Sequence, residues 1–177
     1  MNYSKAYFGG GCFWCIEAVF NKIKGVPSSV SGYSGGKIAN PSYEQVSGGV
    51  TGHVETVEVT FDPSVVTYEQ LLSVFFSVHD PTTMDRQGGD VGDQYRSVVF
   101  YADEEQKKQV EAFISNLKKE ETFSQPIVTI VDPLKEFYKA EAYHQQYYEQ
   151  HPERAYCQVV ISPKLAKLKQ EYQHLLK

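Results

Sequence analysis

The feature that most constrains this chain is the stretch Gly9 to Cys15, which reads Gly-Gly-Gly-Cys-Phe-Trp-Cys. The residues before it, Lys5 to Phe8, are typical of a short strand, and the apolar residues after it recur at helical spacing. The stretch therefore predicts a turn from a strand into a helix. Consecutive glycines permit positive φ angles or close approach of the backbone to a ligand, which a plain core strand does not need.

The two cysteines of this turn are placed for thiol chemistry. At the start of a helix, unpaired N–H groups and the positive end of the helix dipole favour a thiolate, so we predict a reactive Cys12. Cys15 falls on the same helical face and within reach of Cys12, as in redox C-x-x-C motifs. Phe13 and Trp14 are predicted to form apolar walls of a pocket. The alternative is that Cys12 is only a small buried hydrophobe.

Composition limits the class of protein. The 177 residues are 41% hydrophobic, which predicts one domain over residues 1–177, with a tail or helix from about residue 152. The formal charge of −5 argues against nucleic acid or an anionic membrane surface as a partner. Without a signal segment or a long apolar run, we expect a cytoplasmic protein, or alternatively the mature form of an exported one. Three cysteines fit thiol chemistry better than a disulfide scaffold.

A predicted strand at residues 53–61 carries a carboxyl group on its more apolar face. The alternation places Glu55 on the same face as Val57 and Val59. Burial there raises the pKa of a carboxyl group, as a general acid near neutral pH requires. The alternative is that Glu55 lies at the exposed end of the strand and only caps it.

Two polar loops are long enough to line a site. The first, residues 34–52, carries Tyr43, which is equally consistent with a half-buried surface aromatic. The second, residues 79–96, is too long to be a mere connector in a compact domain. An apolar strand follows it directly, so we expect its end to be anchored and Asp90 and Tyr95 to line a pocket.

The last third of the chain predicts a helix over residues 137–150 and a strand over residues 155–161, followed by a final helix. Cys157 is the third thiol. If the tail folds back, Cys157 can resolve an oxidised Cys12 by forming a disulfide with it, and otherwise it is a strand cysteine without a role. The histidines here lack zinc spacing and the C-x-x-C motif has no second cysteine pair, so we predict no metal site.

Seven motifs follow one another in a recognisable order: Gly-Cys-Phe-Trp at 11–14, Ser-Gly-Tyr-Ser-Gly-Gly at 31–36, Asn-Pro-Ser-Tyr at 40–43, Thr-Gly-His-Val-Glu at 51–55, His-Asp-Pro-Thr-Thr at 79–83, Asp-Val-Gly-Asp-Gln-Tyr-Arg-Ser at 90–97 and Tyr-His-Gln-Gln-Tyr at 143–147. The chain resembles the type A peptide methionine sulfoxide reductases over about residues 6–164. The resemblance implies an α+β fold with a two-layer, split β-α-β (ferredoxin-like) core, a mixed sheet and long functional loops.

The resemblance also implies a role for each residue singled out above: Cys12 as nucleophile, Phe13 and Trp14 around the substrate methyl group, Glu55, Tyr43 and Tyr95 around the sulfoxide oxygen, and Asp90 in support. The implied reaction reduces the S epimer of methionine sulfoxide, free or in oxidised proteins, through a Cys12 sulfenic acid and an intramolecular disulfide. Thioredoxin or a small dithiol is the implied reductant. We expect a monomer without bound cofactor, nucleic acid or membrane.

The resolving cysteine stays open at this point. Cys15 occupies a position that is more often Gly in the family, and the tail lacks the Gly-rich, two-cysteine segment that many members carry. Cys157 is slightly favoured over Cys15, because Cys15 belongs to the first helix.

Two other functions compete with the reductase. C-x-x-C at a strand-to-helix junction is also the signature of a thioredoxin-like disulfide oxidoreductase, which needs neither Glu55 nor Cys157. A binding module for oxidised methionine would keep its function in Cys12→Ser. Neither explains an inward glutamate together with two loop tyrosines and an activated thiol.

Overall fold

The computed structural model describes residues 2–177, which form a six-stranded mixed sheet with helices packed on it and a small hairpin beside it. The strands of the sheet are β1 (Ser4–Gly9), β2 (Ser28–Ser34), β3 (Val54–Phe61), β6 (Val98–Tyr101), β7 (Ile130–Pro133) and β8 (Phe137–Lys139), and those of the hairpin are β4 (Arg86–Gln87) and β5 (Asp90–Val91). The helices are α1 (Phe13–Phe20), α2 (Tyr43–Ser47), α3 (Tyr68–Val78), α4 (Glu104–Lys119), α5 (Tyr147–Gln150) and α6 (Ser162–Tyr172).

The strand order of the sheet is β7-β6-β1-β3-β2-β8. Strand β3 lies between β1 and β2 and pairs antiparallel with both, so it splits the β1-α1-β2 unit. Strand β7 pairs in parallel with β6, which makes the sheet mixed. The predicted α+β fold with a split β-α-β core is therefore confirmed.

Phe8 ties the sheet to the helices. Its ring stacks on Phe20 of α1 at 5.1 Å and on Phe75 of α3 at 4.9 Å, and its neighbour across the sheet is Val57 of β3. All four side chains are fully buried. Each such side chain contributes roughly 1.5–3 kcal/mol through burial alone, so this contact fixes α1 firmly against β1.

The glycine-rich turn between β1 and α1 has no room for side chains. Gly11 has a φ of +91°, and a Cβ atom there would lie 2.7 Å from the side chain of Gln87. A Cβ on Gly10 would lie 2.9 Å from the ring of His79. The amide of Gly11 also donates to the carbonyl of Tyr95 at 3.2 Å. The predicted turn from strand to helix is confirmed, and its glycines let the loop at residues 79–96 pack directly against it.

The predicted helix over residues 137–150 is wrong. Its first residues form β8, which pairs with β2 and is itself an edge strand of the sheet, and the short helix α5 begins only at Tyr147. Between them, Ala142–His144 form a single 3₁₀ turn. Gln146 has a φ of +53°, outside the helical region, and this separates the 3₁₀ turn from α5.

The predicted strand over residues 155–161 is also wrong. Cys157–Ile161 form a π-helical turn that leads directly into α6. The physical reason is the spacing of burial: Cys157 and Ile161, four residues apart, are fully buried, whereas Val159 between them is 73% exposed. Side chains four residues apart share a helical face, so the apolar residues of this segment bury better as a helix.

Helix α6 packs on the body of the protein. Leu168, in α6, and Leu175, shortly after it, belong to the main hydrophobic core, and Nζ of Lys164 donates to the carbonyl of Val78. Among the helices of residues 2–177, none has both the length and the apolar composition that a membrane span requires. The assignment of residues 1–177 to one domain stays a prediction.

Candidate active site

Cys12 stands at the junction of β1 and α1 as the N-cap residue of the helix. Its side chain is half-buried. The first amide of α1, that of Phe13, does not serve the thiol but donates to Oε2 of Glu55 at 2.9 Å. The helix start thus binds the carboxyl group and the thiol sits beside both.

The thiolate predicted at Cys12 is not what the structure favours. Burial raises the pKa of Cys12 well above its ordinary value, and the hydrogen bond to Cys15 and the charge of Glu55 raise it further. The backbone amide of Trp14 opposes this increase. The prediction rested on the unpaired N–H groups and the dipole at the helix start, and desolvation of the half-buried thiol outweighs both.

Cys15 is the group that receives the stabilisation expected for Cys12. The hydrogen bond from Cys12 lowers the pKa of Cys15, and Lys164 and the Tyr156 hydroxyl act in the same direction against burial and the charge of Asp90. The two thiols of the C-x-x-C motif therefore share a hydrogen bond across one helical turn. A proton is placed to pass between them.

Glu55 is 3% exposed, on the inward face of β3 as predicted. Burial raises its pKa to about 8, with further increases from the charges of Asp90 and Cys15, and the amide of Phe13 opposes the shift. The predicted rise in pKa is confirmed. At neutral pH, Glu55 is a buried carboxylic acid that holds its proton.

Tyr43 and Tyr95 reach the site from the two predicted loops. Tyr43 is the first residue of α2, and its amide donates to Glu141 at 3.0 Å. Tyr95 ends a 3₁₀ turn, Asp93–Tyr95. The pKa of each phenol is raised first by burial and then by the charges of Glu55 and Cys12. Both hydroxyls are therefore neutral donors close to the acid and the thiol.

The two aromatic residues after Cys12 differ in exposure. Phe13 is fully buried, with its ring centroid 5.7 Å from that of Tyr33. Trp14 is half-buried and stacks face to face on Tyr147, with ring centroids 3.7 Å apart and planes within 6°. Its indole N–H donates to Nδ1 of His144 at 3.1 Å. The indole is held on its face and at its edge.

A cavity of about 490 Å³ lies beside the two thiols, and Asp90 is part of its wall. Tyr156 donates to Oδ2 of Asp90 at 2.6 Å, and its hydroxyl lies 3.7 Å from Sγ of Cys15. Asp90 thus joins the β4–β5 hairpin to the C-terminal helical segment. The acid and the tyrosines of the loops are not among the residues that line this cavity.

The chain is similar to known proteins along nearly its whole length. The family model described as peptide methionine sulfoxide reductase matches residues 4–176. The chain belongs to this family. A peptide methionine sulfoxide reductase MsrA of Chromobacterium violaceum is 54% identical over 172 residues, which cover 97% of this chain and 98% of that protein.

Solved structures place the fold in the same family. The reduced form of Mxr1 from Saccharomyces cerevisiae is 31% identical with a TM-score of 0.80, and covers 88% of this chain and 89% of that one. Methionine sulfoxide reductase A of Corynebacterium diphtheriae is 35% identical with a TM-score of 0.75, over 85% of this chain and 76% of that one. Mxr1 has also been solved in complex with Trx2, a structure 23% identical to this chain with a TM-score of 0.57, which bears on the fold alone.

The third thiol of this reductase-family chain, Cys157, is fully buried. It packs in one cluster with Cys15, Ala18 and Ile161, with Cys12 at the edge of that cluster. Burial raises its pKa, and the charge of Cys15 raises it further. The tail does fold back, and it brings Cys157 beside Cys15.

Several residues of the site were missed by the sequence analysis. Tyr156 precedes the third cysteine directly, and His144 lies within the Tyr-His-Gln-Gln-Tyr motif, which the resemblance used without assigning a role. Only His144 was marked by a motif, and the contacts of Tyr156 to Cys15 and of His144 to Trp14 join parts of the chain about 130–140 residues apart. Within residues 2–177, no group of three or more His, Cys, Asp or Glu side chains is arranged to hold a metal ion.

Proposed function

We propose that this protein reduces the S epimer of methionine sulfoxide, free or within oxidised proteins, to methionine, with Cys12 as the nucleophile. The observation that carries the proposal is Glu55, a buried carboxylic acid with a pKa of about 8, bound to the amide of the residue that follows the thiol. Sulfoxide oxygen is a poor leaving group until it is protonated. A neutral acid beside a thiol supplies that proton at physiological pH.

The first step transfers oxygen from the substrate to Cys12. The sulfur of Cys12 attacks the sulfur of the sulfoxide. At the same time the proton of the Cys12 thiol moves to Cys15 across their hydrogen bond, and Glu55 donates a proton to the sulfoxide oxygen. Tyr43 and Tyr95 donate hydrogen bonds to that oxygen and stabilise the charge that develops on it. Phe13 and Trp14 bind the methyl group, and Asp90 supports the site. The step yields methionine and a Cys12 sulfenic acid.

The second step forms a disulfide, and we assign it to Cys15. The sulfur of Cys15 attacks the sulfenic sulfur of Cys12, an S–S bond forms, and the oxygen leaves as water. The sequence slightly favoured Cys157, on the ground that Cys15 is part of the first helix. We make the opposite choice, because Cys15 is hydrogen-bonded to Cys12 and both line the cavity, whereas Cys157 is fully buried and is not among the residues that line it.

The third step returns the enzyme to its dithiol form, and thioredoxin is the proposed reductant. A disulfide next to an open cavity is accessible to an external dithiol, and exchange transfers the disulfide to that partner. The complex of the yeast relative Mxr1 with Trx2 agrees with such a partner. Three cysteines, an odd number, fit thiol chemistry in a reducing compartment, so the proposed location is the cytoplasm. The proposed form is a monomer of one domain without bound cofactor.

The thioredoxin-like oxidoreductase is not favoured. The C-x-x-C motif does stand at a strand-to-helix junction, but the strand between β1 and β2 is antiparallel to both and carries Glu55 next to Cys12. A plain dithiol exchange gives no role to that acid. The binding module leaves the hydrogen-bonded thiol pair equally unexplained.

A single-turnover experiment tests the proposal. Reduced protein is mixed with racemic methionine sulfoxide without reductant, and the products are analysed by chiral chromatography and by intact-protein and disulfide-mapping mass spectrometry. We expect consumption of the S epimer alone and a Cys12–Cys15 bridge. Failure to form methionine would reject the reductase function.

Two matched variants separate the candidate resolving cysteines. We expect Cys15→Ser to accumulate a sulfenic acid that dimedone traps, and Cys157→Ser to form the bridge as the wild type does. The reverse pattern would assign resolution to Cys157 and leave the reductase function intact.

A further inference from the structure

Glu17 is a buried carboxyl group for which the proposed reaction has no use. It lies on α1 and is 1% exposed. Its Oε2 accepts a hydrogen bond of 2.8 Å from the amide of Gln146, which is 129 residues away in sequence. Ser31 also acts on this carboxyl group. Burial of a carboxyl group is costly, so a contact between Glu17 and a backbone amide so distant in sequence needs an explanation.

The amide that Glu17 binds belongs to a strained residue. Gln146 has a φ of +53°, in the left-handed region that a residue with a side chain rarely adopts, and it stands immediately before α5. Its side chain is exposed, so the side chain does not hold this conformation. The hydrogen bond to Glu17 stabilises the backbone at the point where α5 begins.

The residue after Gln146 stacks on the indole of Trp14, whose N–H is bound by His144. Tyr147 is the first residue of α5, and its ring lies 3.7 Å from that of Trp14 in a nearly parallel stack. Trp14 is on the same helix as Glu17, three residues earlier. The contacts therefore form a closed circuit from Glu17 through Gln146 and Tyr147 back to Trp14.

We propose that Glu17 is a positioning residue that fixes the orientation of the Trp14 indole through Gln146 and Tyr147, and so sets the affinity for the substrate methyl group. The part of this inference that concerns substrate rests on the proposed function. The part that concerns the indole does not, since it describes the reduced protein alone.

Trp14 is the only tryptophan in the chain, so its fluorescence reports on the proposed circuit without interference. The test compares Glu17→Leu, which keeps the volume and removes the acceptor, with Glu17→Gln, which retains an acceptor oxygen. Glu111→Gln is the matched control, because Glu111 is an exposed acid on α4, a different helix.

We expect Glu17→Leu to change the emission spectrum and anisotropy of Trp14 in the reduced protein without substrate. We also expect it to raise KM for a peptide that contains methionine sulfoxide by on the order of tenfold, with kcat within about twofold of the wild type, because a displaced wall weakens binding in the ground and transition states alike. Glu17→Gln and Glu111→Gln should match the wild type in both measurements.

A second substitution distinguishes positioning from a general structural role. Glycine adopts a φ of +53° without strain, so Gln146→Gly should restore the Trp14 spectrum and lower KM when it is added to Glu17→Leu. Should Glu17→Leu fail to fold, Glu17→Met takes its place, since the flexible side chain of methionine fits irregular gaps.

Unchanged emission and unchanged KM in a folded Glu17→Leu or Glu17→Met protein would overturn the inference while the reductase function stood. Absence of reduction by the wild type would reject the proposed function, and the fluorescence of the same variants would still decide whether Glu17 holds the indole.

Discussion

At the scale of single residues, burial dominates the electrostatics of the site. The pKa of Cys12 and the pKa of Glu55 are both raised, and in each case burial is the largest cause. A raised pKa is a disadvantage for a nucleophile, but it is an advantage for an acid that must still hold its proton at neutral pH. Cys15, with a lowered pKa and a hydrogen bond to Cys12, offsets the disadvantage by accepting the proton of the attacking thiol.

Replacement of Glu55 by Gln tests this assignment. The amide keeps the size of the side chain but cannot donate an acidic proton, so we expect kcat to fall by roughly 10²–10⁴. The pKa of about 8 further predicts that wild-type kcat declines above about pH 8, as Glu55 loses its proton, and that this decline is missing in Glu55→Gln. Steady-state kinetics with methionine sulfoxide across the pH range measures both effects.

The matched control for that measurement is Glu58→Gln. Glu58 lies on the same strand, pairs with Lys5 at 3.0 Å and accepts a hydrogen bond from Tyr7, away from the thiols. Its substitution should leave kcat and the pH profile unchanged. A Glu55→Gln enzyme with wild-type kcat, or one that keeps the same alkaline decline, would show that another group protonates the sulfoxide.

At the scale of secondary-structure elements, the site depends on short segments fixed by local hydrogen bonds. Helix α2 has only five residues and one fully buried side chain, Val46, yet it delivers Tyr43 to the site. Its start is held by a capping box in which Ser42 and Gln45 each bind the other's backbone amide. A helix this short has little packing to hold it if the cap is lost.

Loss of this cap should therefore affect catalysis as well as stability. We expect Ser42→Ala to reduce the free energy of unfolding by about 1 kcal/mol and to lower kcat/KM several-fold, because the phenol of Tyr43 is no longer held in place. Thr67→Ala removes the same kind of capping box from α3, which is well anchored in the core. That control should lose comparable stability, measured by urea denaturation, and keep the wild-type kcat/KM. Equal kinetic losses in the two variants would contradict the role given to α2.

The elements that the sequence predicted correctly are those whose patterns are local. Alternation placed Glu55 inward on β3, and the glycine run predicted the turn before α1. The errors fall where distant contacts decide the structure. Segment 137–150 begins as a strand because it pairs with β2. Segment 155–161 is helical because Cys157 and Ile161 are buried together against α1.

The residues of the candidate site also divide into those marked by local patterns and those fixed by distant contacts. Motif residues such as Cys12 and Glu55 were found from spacing and register, together with the resemblance. The raised pKa of Cys12 was missed, because it depends on how deeply the folded protein buries the thiol rather than on its place at a helix start. The hydrogen bonds of Tyr156 and His144 were missed because a single sequence does not show which distant residues meet.

At the scale of the whole molecule, two inward carboxyl groups make folding depend on pH. The pKa of Glu17 is raised to about 7 and that of Glu55 to about 8, in both cases chiefly by burial, from an unfolded value of 4.5. Between the unfolded pKa of 4.5 and the folded pKa of each group, the folded state binds more protons than the unfolded state. The free energy of unfolding therefore falls as the pH rises through this range, by about 3 kcal/mol for Glu17 and about 5 kcal/mol for Glu55.

Substitution by glutamine removes this dependence, since the amide is neutral at every pH. We expect Glu55→Gln to unfold with nearly the wild-type free energy at about pH 4, where both states of Glu55 are protonated, and to be more stable than the wild type at about pH 9. Urea denaturation followed by circular dichroism at several pH values measures the difference. A constant difference for Glu55→Gln would mean that its carboxyl group titrates normally in the folded protein. Together with the loss of kcat, a gain in alkaline stability would show that one buried proton both enables the reaction and weakens the fold when it is lost.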